Sequence, residues 1–147
     1  MSSVLFPGSF NPFTVGHADL VERALKVFDE VVVAVGVSID KAPTDIASLT
    51  APIASLYEGE GRVRVVSYSG LTVDAARGHG CSALLRGVRT MADFEYERTM
   101  ADVNFKLSGL ETVILFTRPE LASVSSSMVR ELRHFGKDVS QFLPKKK

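Results

Sequence analysis

"EVVVAVGV", Glu30 to Val37, decides the fold. Five of its eight residues are valine, and no polar residue interrupts the run. A strand with one face in water alternates apolar and polar side chains. A run without alternation belongs to a strand buried on both faces, the habit of parallel sheets. Parallel neighbours need crossover connections, so helices should lie on either side of it in the chain.

Both flanks supply them. Upstream, "VLF" (Val4 to Phe6) is a short apolar strand halted at Pro7-Gly8. From Gly16 the pattern turns helical: Ala18, Val21, Ala24, Leu25 and Phe28 share one face, and Asp19, Glu22, Arg23 and Lys26 the other. Thr14 suits the N-cap of that helix. Strand, helix and strand make a βαβ unit. Downstream the alternation repeats. "RVRVVSY" (62–68) reads as a strand, "LTVDAARGHG" (71–80) as a short helix ending in glycines, and "SALLRG" (82–87) as a strand. "ADFEYERTMADVNFKL" (92–107) is a long helix that Gly109 stops. "ETVILF" (111–116) is a strand, and "SSSMVRELRHF" (125–135) a last helix opened by serines. Five strands alternating with helices predict a single α/β domain over residues 1–147, Rossmann-like, with a doubly wound, mostly parallel sheet. The stretch 40–61, broken by Pro43 and Pro52, predicts a loop and a short helix.

The bulk composition narrows the function. The 147 residues carry 17 basic and 17 acidic side chains, a formal charge of zero. Bulk binding to nucleic acid or to an anionic membrane surface relies on a basic excess, which this chain lacks. An anionic ligand has to be met by a local cluster. Cys81 is the single cysteine, so no internal disulfide forms. No apolar run approaches a bilayer span, and no basic segment precedes an apolar one at the N-terminus. A cytoplasmic protein is the expectation, with the final three lysines as a solvated tail.

Ligands of open parallel sheets bind beyond the carboxyl ends of the strands, where strand order reverses. Those positions hold "PGSFNPFTVGH" after the first strand, Ser38 to Lys41 after the second and Ser69 to Thr72 after the third. Arg86, Gly87 and Arg89 close the fourth, and Thr117, Arg118 and the Ser125-Ser126-Ser127 run follow the fifth. Hydroxyls, glycines and cations are what phosphate oxygens require. Helix starts add free N–H groups and a positive dipole end. His17, in a first helical turn, faces the same region, and Arg86 and Arg89 supply forked donors. Neither a Walker loop nor a GxGxxG fingerprint is present. Taken singly, His17 and the serines are ordinary capping residues, and Glu95 and Glu97 read as the polar face of their helix. Their shared edge of the sheet makes them a site.

"PGSFNPFTVGHADLVERA" (7–24) resembles the signature of the HxGH-type nucleotidyltransferases, with Thr14 in place of the first histidine. "LLRGVRTMADFEYE" (84–97), Asn104 in the same helix, "SVSSSMVREL" (123–132) and "GKDVSQFLP" (136–144) resemble the bacterial phosphopantetheine adenylyltransferases. The resemblance runs from residue 4 to about 144. It implies transfer of AMP from ATP, with Mg²⁺, to 4′-phosphopantetheine, giving dephospho-coenzyme A and pyrophosphate without a covalent intermediate. It implies that His17 stabilises the α-phosphate and that Ser9 orients the attacking phosphate. Lys41, Arg86, Ser9 and Thr72 would hold phosphopantetheine. Ser9, Phe10, His17, Gly87, Val88, Arg89, Glu97 and Leu121, Ala122, Ser123, Val124, Ser125, Ser126 and Ser127 would bind ATP. It also implies a homohexamer and a response to coenzyme A as inhibitor. Three departures stand out: Ser9 for the usual Thr, Asn11 for the usual Asp, and "TDIASLTAP" (44–52) for an aromatic residue and a Leu-Glu-Glu-Arg-like helix start. Two alternatives remain: a sister nucleotidyltransferase with another phosphate acceptor, and a nucleotide-binding relative without catalysis.

Overall fold

Alternate residues of the central strands bury into two separate cores. Val4 and Phe6, Val31, Val33 and Val35, and Leu85 pack on one face of the sheet with Leu20, Val21 and Ala24. Leu5, Val32, Ala34 and Leu84 pack on the other with Val73, Ala76 and Cys81. Burial on both faces is what the unbroken valine run requires. The computed structural model describes residues 2–146. In chain order the elements are β1 (Ser3–Gly8), α1 (Val15–Ala24), β2 (Glu30–Gly36), α2 (Pro43–Leu56) and β3 (Val63–Tyr68). They continue with α3 (Thr72–Gly78), β4 (Ala83–Val88), α4 (Met91–Ser108), β5 (Glu111–Phe116) and α5 (Ser126–His134).

The strands form one five-stranded sheet in the order β3-β2-β1-β4-β5. Every pairing is parallel. The chain winds outward from β1 to β3, returns, and winds outward again through β4 and β5. Strand order reverses between β1 and β4, so the crevice opens beyond Gly8 and Val88. The fold is the Rossmann-like α/β domain that the alternation predicts. Among the described residues no helix is long and apolar enough to cross a membrane.

Two boundaries differ from expectation. β1 runs on through Pro7, which pairs in register with Ala34, instead of stopping there. The Pro7 carbonyl is used, accepting from Arg86 Nη1 at 2.7 Å. The larger difference is α2, a helix of 14 residues where a loop and a short helix were expected. Pro43 sits at its first turn, where the missing N–H costs nothing. Pro52 lies inside the helix on its exposed side. The hydrogen bond it forfeits is offset by Ile53, fully buried, with Leu49 and Leu56 packed against the same core. The spacing of Leu49, Ile53 and Leu56, four and three residues apart, was the helical signal that the proline obscured.

Candidate active site

Thr14 and His17 build the centre of the site from a helix cap. Thr14 Oγ1 accepts from the His17 backbone N–H at 3.4 Å, and His17 Nδ1 accepts from the Thr14 backbone N–H at 2.9 Å. This is a capping box with histidine in the third helical position. It has a chemical consequence. With Nδ1 accepting, the neutral ring carries its proton on Nε2 and is a fixed donor. Burial, reinforced by the charges of Arg86 and Arg89, lowers the His17 pKa from 6.5 to about 4. At neutral pH the ring is uncharged.

Aromatic rings wall the imidazole. Phe10 stands edge-on at 4.9 Å between centroids, with Phe13 at 5.3 Å and Phe6 at 6.2 Å. The loop achieves this by folding Phe10 back over Gly8. Phe10 has φ of +46°, a left-handed conformation uncommon for a bulky residue. A Cβ on Gly8 would lie 2.8 Å from the Phe10 ring, so only glycine fits beneath it. Gly87, opposite, lies so close to Leu20 of α1 that a side chain there would overlap it. These contacts bring the ends of β1 and β4 together around a crevice.

Two clefts open into that crevice. The first is lined by Ser9, Phe10, Thr14, His17, Arg86, Gly87, Arg89, Glu97, Thr117, Val124, Ser125 and Ser126, among others. Ser125 caps α5, its Oγ accepting from the Met128 backbone N–H at 3.2 Å. Ser126 Oγ donates to the Pro12 carbonyl at 2.7 Å and ties α5 to the aromatic loop. Arg130 reinforces the tie by donating to the Asn11 carbonyl at 2.5 Å. The cleft therefore gathers hydroxyls, cations and a helix start, and its two carboxylates, Asp93 and Glu97, are each paired with an arginine. That set suits a polyphosphate.

The second cleft shares Pro7, Gly8, Ser9, Arg86 and Glu97 with the first. It extends past Tyr68 and Thr72 towards Met100, Asn104 and Thr112. The Tyr68 and Thr72 hydroxyls lie 2.9 Å apart. The two clefts meet at Arg86, whose Nε and Nη2 donate to the two oxygens of Glu97 at 2.9 and 2.7 Å.

Most predicted residues converge, and the exceptions are specific. Val88 is buried in the sheet, its carbonyl accepting from the Thr117 N–H at 2.9 Å. Leu121, Ala122 and Ser123 form the turn before α5 without lining either cleft, although Arg89 Nη1 reaches the Ala122 carbonyl at 3.4 Å. Ser127 Oγ stands 3.2 Å from Ser125 Oγ, outside the lining. Lys41 lies exposed on the turn after β2, lining neither cleft. Glu97 is not on a solvated face: it is 6 % exposed, whereas Glu95 is exposed. Asp93 is a site residue that the sequence reading passed over. It lines the first cleft, accepts from the Arg89 backbone N–H at 3.1 Å and stands 3.6 Å from the Arg89 side chain. The spacing Thr90-x-x-Asp93, a capping signature, was the available signal.

Residues 5–132 match the cytidylyltransferase-like family. A phosphopantetheine adenylyltransferase of Porphyromonas gingivalis is 53% identical over 141 residues, 95% of this chain and 92% of that protein. One of Phocaeicola vulgatus is 49% identical over 147 residues, 98% of this chain and 96% of that protein. The chain belongs to the phosphopantetheine adenylyltransferase family.

Solved structures agree at the level of fold. A structure described as a putative nicotinate-nucleotide adenylyltransferase of Vibrio parahaemolyticus superimposes with a TM-score of 0.62 at 19% identity, over 99% of this chain and 95% of that one. A bifunctional NMN adenylyltransferase/ADP ribose pyrophosphatase of Francisella tularensis gives 0.69 at 14% identity, over 99% of this chain and 45% of that one. For a phosphopantetheine adenylyltransferase, two clefts meeting at one arginine are the geometry that a two-substrate transfer needs.

Proposed function

We propose that the chain transfers AMP from ATP to 4′-phosphopantetheine, with ATP in the cleft of His17 and Ser125 and the acceptor in the cleft of Tyr68 and Thr72. The observation that carries the reading is the junction: Ser9, Arg86 and Glu97 line both clefts, so the reacting phosphates meet there. An oxygen of the acceptor phosphate forms a bond to the α-phosphorus as the bond to the β-phosphate oxygen breaks, and pyrophosphate leaves. His17 donates from Nε2 to an α-phosphate oxygen as charge builds on it. Arg86 and Ser9 align the attacking phosphate, and Arg89 with the start of α5 holds the outer phosphates. No side chain needs to become covalently bound. The protein contributes orientation and oriented dipoles.

Mg²⁺ enters on the phosphates of ATP as part of the substrate, and the hydroxyl-rich lining fits an oxygen-bound ion. The exposed Tyr96, Val103, Phe105 and Leu107 of α4 fit a homohexamer, the assembly that the resemblance implies. Coenzyme A carries both arms of the product and would compete for both clefts. A cytoplasmic setting is part of the same proposal. The test is pyrophosphate release from ATP and Mg²⁺ with and without 4′-phosphopantetheine. Release that depends on the acceptor is expected. ATP binding without such release would transfer the reading to another acceptor or to a binding protein.

A further inference from the structure

Of the two carboxylates that line the crevice, Asp93 and Glu97, only Glu97 is buried and lines both clefts. It is a carboxylate in a crevice built for anions, buried, and placed where two phosphates must come together. A bare negative charge there would oppose binding of both substrates. Its surroundings show what it does instead. Both of its oxygens take hydrogen bonds from Arg86, from Nε at 2.9 Å and from Nη2 at 2.7 Å. The third guanidinium nitrogen, Nη1, is held by the Pro7 carbonyl at 2.7 Å. All three nitrogens of Arg86 are thereby anchored, one side by α4 and the other by the end of β1.

The hydrogen count gives the consequence. A guanidinium has five N–H groups. Three are spent on Glu97 and Pro7, leaving two, one on each terminal nitrogen. A free arginine samples many rotamers, and fixing it on binding costs part of the energy gained. Here that cost is met by folding. Arg86 is part-buried and hydrogen-bonded through all three nitrogens before any ligand arrives. Burial alone would pull its pKa down, but the hydrogen bonds and charge of Glu97 outweigh it and the net shift is upward.

We infer that Glu97 is a positioning residue that acts through Arg86: it presets the Arg86 fork for the acceptor phosphate. The inference rests on the proposed assignment of the second cleft to phosphopantetheine. Loss of the carboxylate should fall on the acceptor, and only while Arg86 is present.

The experiment is steady-state pyrophosphate release by the wild type, Glu97→Gln, Arg86→Ala and the double variant, with ATP and 4′-phosphopantetheine varied in turn. In Glu97→Gln the acceptor KM is expected to rise about tenfold or more, the scale of losing a charged hydrogen-bond pair, with a clearly smaller rise in the ATP KM. Adding Glu97→Gln to Arg86→Ala is expected to change the acceptor KM by less than about threefold, since the residue it positions is already gone. Equal effects on both KM values, or losses that multiply in the double variant, would overturn the inference. If Glu97→Gln does not fold, Glu97→Asp carries the test. Its carboxylate keeps the charge but is drawn back from Arg86, and the ratio of acceptor KM to ATP KM should rise in the same direction. A wild type without acceptor-dependent release would instead sink the functional reading, so the two failures are distinguishable.

Discussion

The two clefts that share Arg86 are built in different ways. The His17 cleft is made of local structure: a helix cap, a folded-back aromatic loop and a serine-capped helix start. Its groups come from distant parts of the chain, but His17 and Ser125 each take their orientation from hydrogen bonds within three residues at a helix start. The Tyr68 cleft is assembled from all five strands with α3 and α4, and α4 alone supplies Tyr96, Glu97, Met100, Ala101 and Asn104. A site made from local caps is orientated by short-range hydrogen bonds. A site made from distant elements is only as well set as their packing and the ion pair between them. The first arrangement suits the step where charge develops. The second suits recognition, where the acceptor distinguishes one adenylyltransferase from another.

The sharpest way to break this comparison is His17→Ala. If the local cap aims a transition-state donor, turnover should fall roughly a hundred- to a thousandfold, as when an oxyanion-type donor is removed. ATP affinity, measured by calorimetry, should change little, because Arg89, Ser125 and Ser126 remain. Turnover within a few fold of wild type would remove His17 from the chemistry.

Arg86→Ala probes the junction. It should raise the acceptor KM more than the ATP KM, by roughly ten- to a hundredfold against a few fold. It also strands the Glu97 carboxylate in a buried position, at a cost of about 3–5 kcal/mol, so thermal unfolding belongs beside the kinetics. An equal loss for both substrates would show that Arg86 serves the clefts alike and that the acceptor is held elsewhere, with Lys41 the first candidate.

The same contrast explains what could be read from the chain. The valine run, the alternation of elements, the Thr14 cap and the Ser125 run are local signals, and they led to the fold and to the first cleft. Glu97 was opaque because its burial depends on Arg86, eleven positions earlier and on a strand instead of the same helix. Helical periodicity alone places it on a polar face. α2 was obscured for a similar reason. Pro52 is a local breaker, and only the packing of Ile53 against the sheet outweighs it. Lys41 shows the converse. Its position after β2 placed it at the correct edge of the sheet, yet on an exposed turn outside both clefts.

The smallest expected effect is on pH dependence, and it separates the neutral donor from a charged one. His17 binds its proton less readily in the folded protein than in the unfolded chain, with a pKa near 4 against 6.5. Below pH 6.5 the unfolded chain is therefore protonated first. The stability that His17 contributes is complete above that value, is lost as pH falls towards 4, and levels off below. Activity should follow the neutral ring. Between pH 6 and pH 8 its donor form is fully populated, so turnover attributable to His17 should change by less than about twofold. Proton NMR of the ring gives the direct check: the His17 signal should hold its position from pH 8 down to about 5.5 and move only as the pH approaches 4. A titration near 6.5 would mean that the aromatic wall and the two arginines do not keep the ring neutral. The α-phosphate would then be met by a cation, and the local cleft would work by charge instead of by an orientated neutral hydrogen bond.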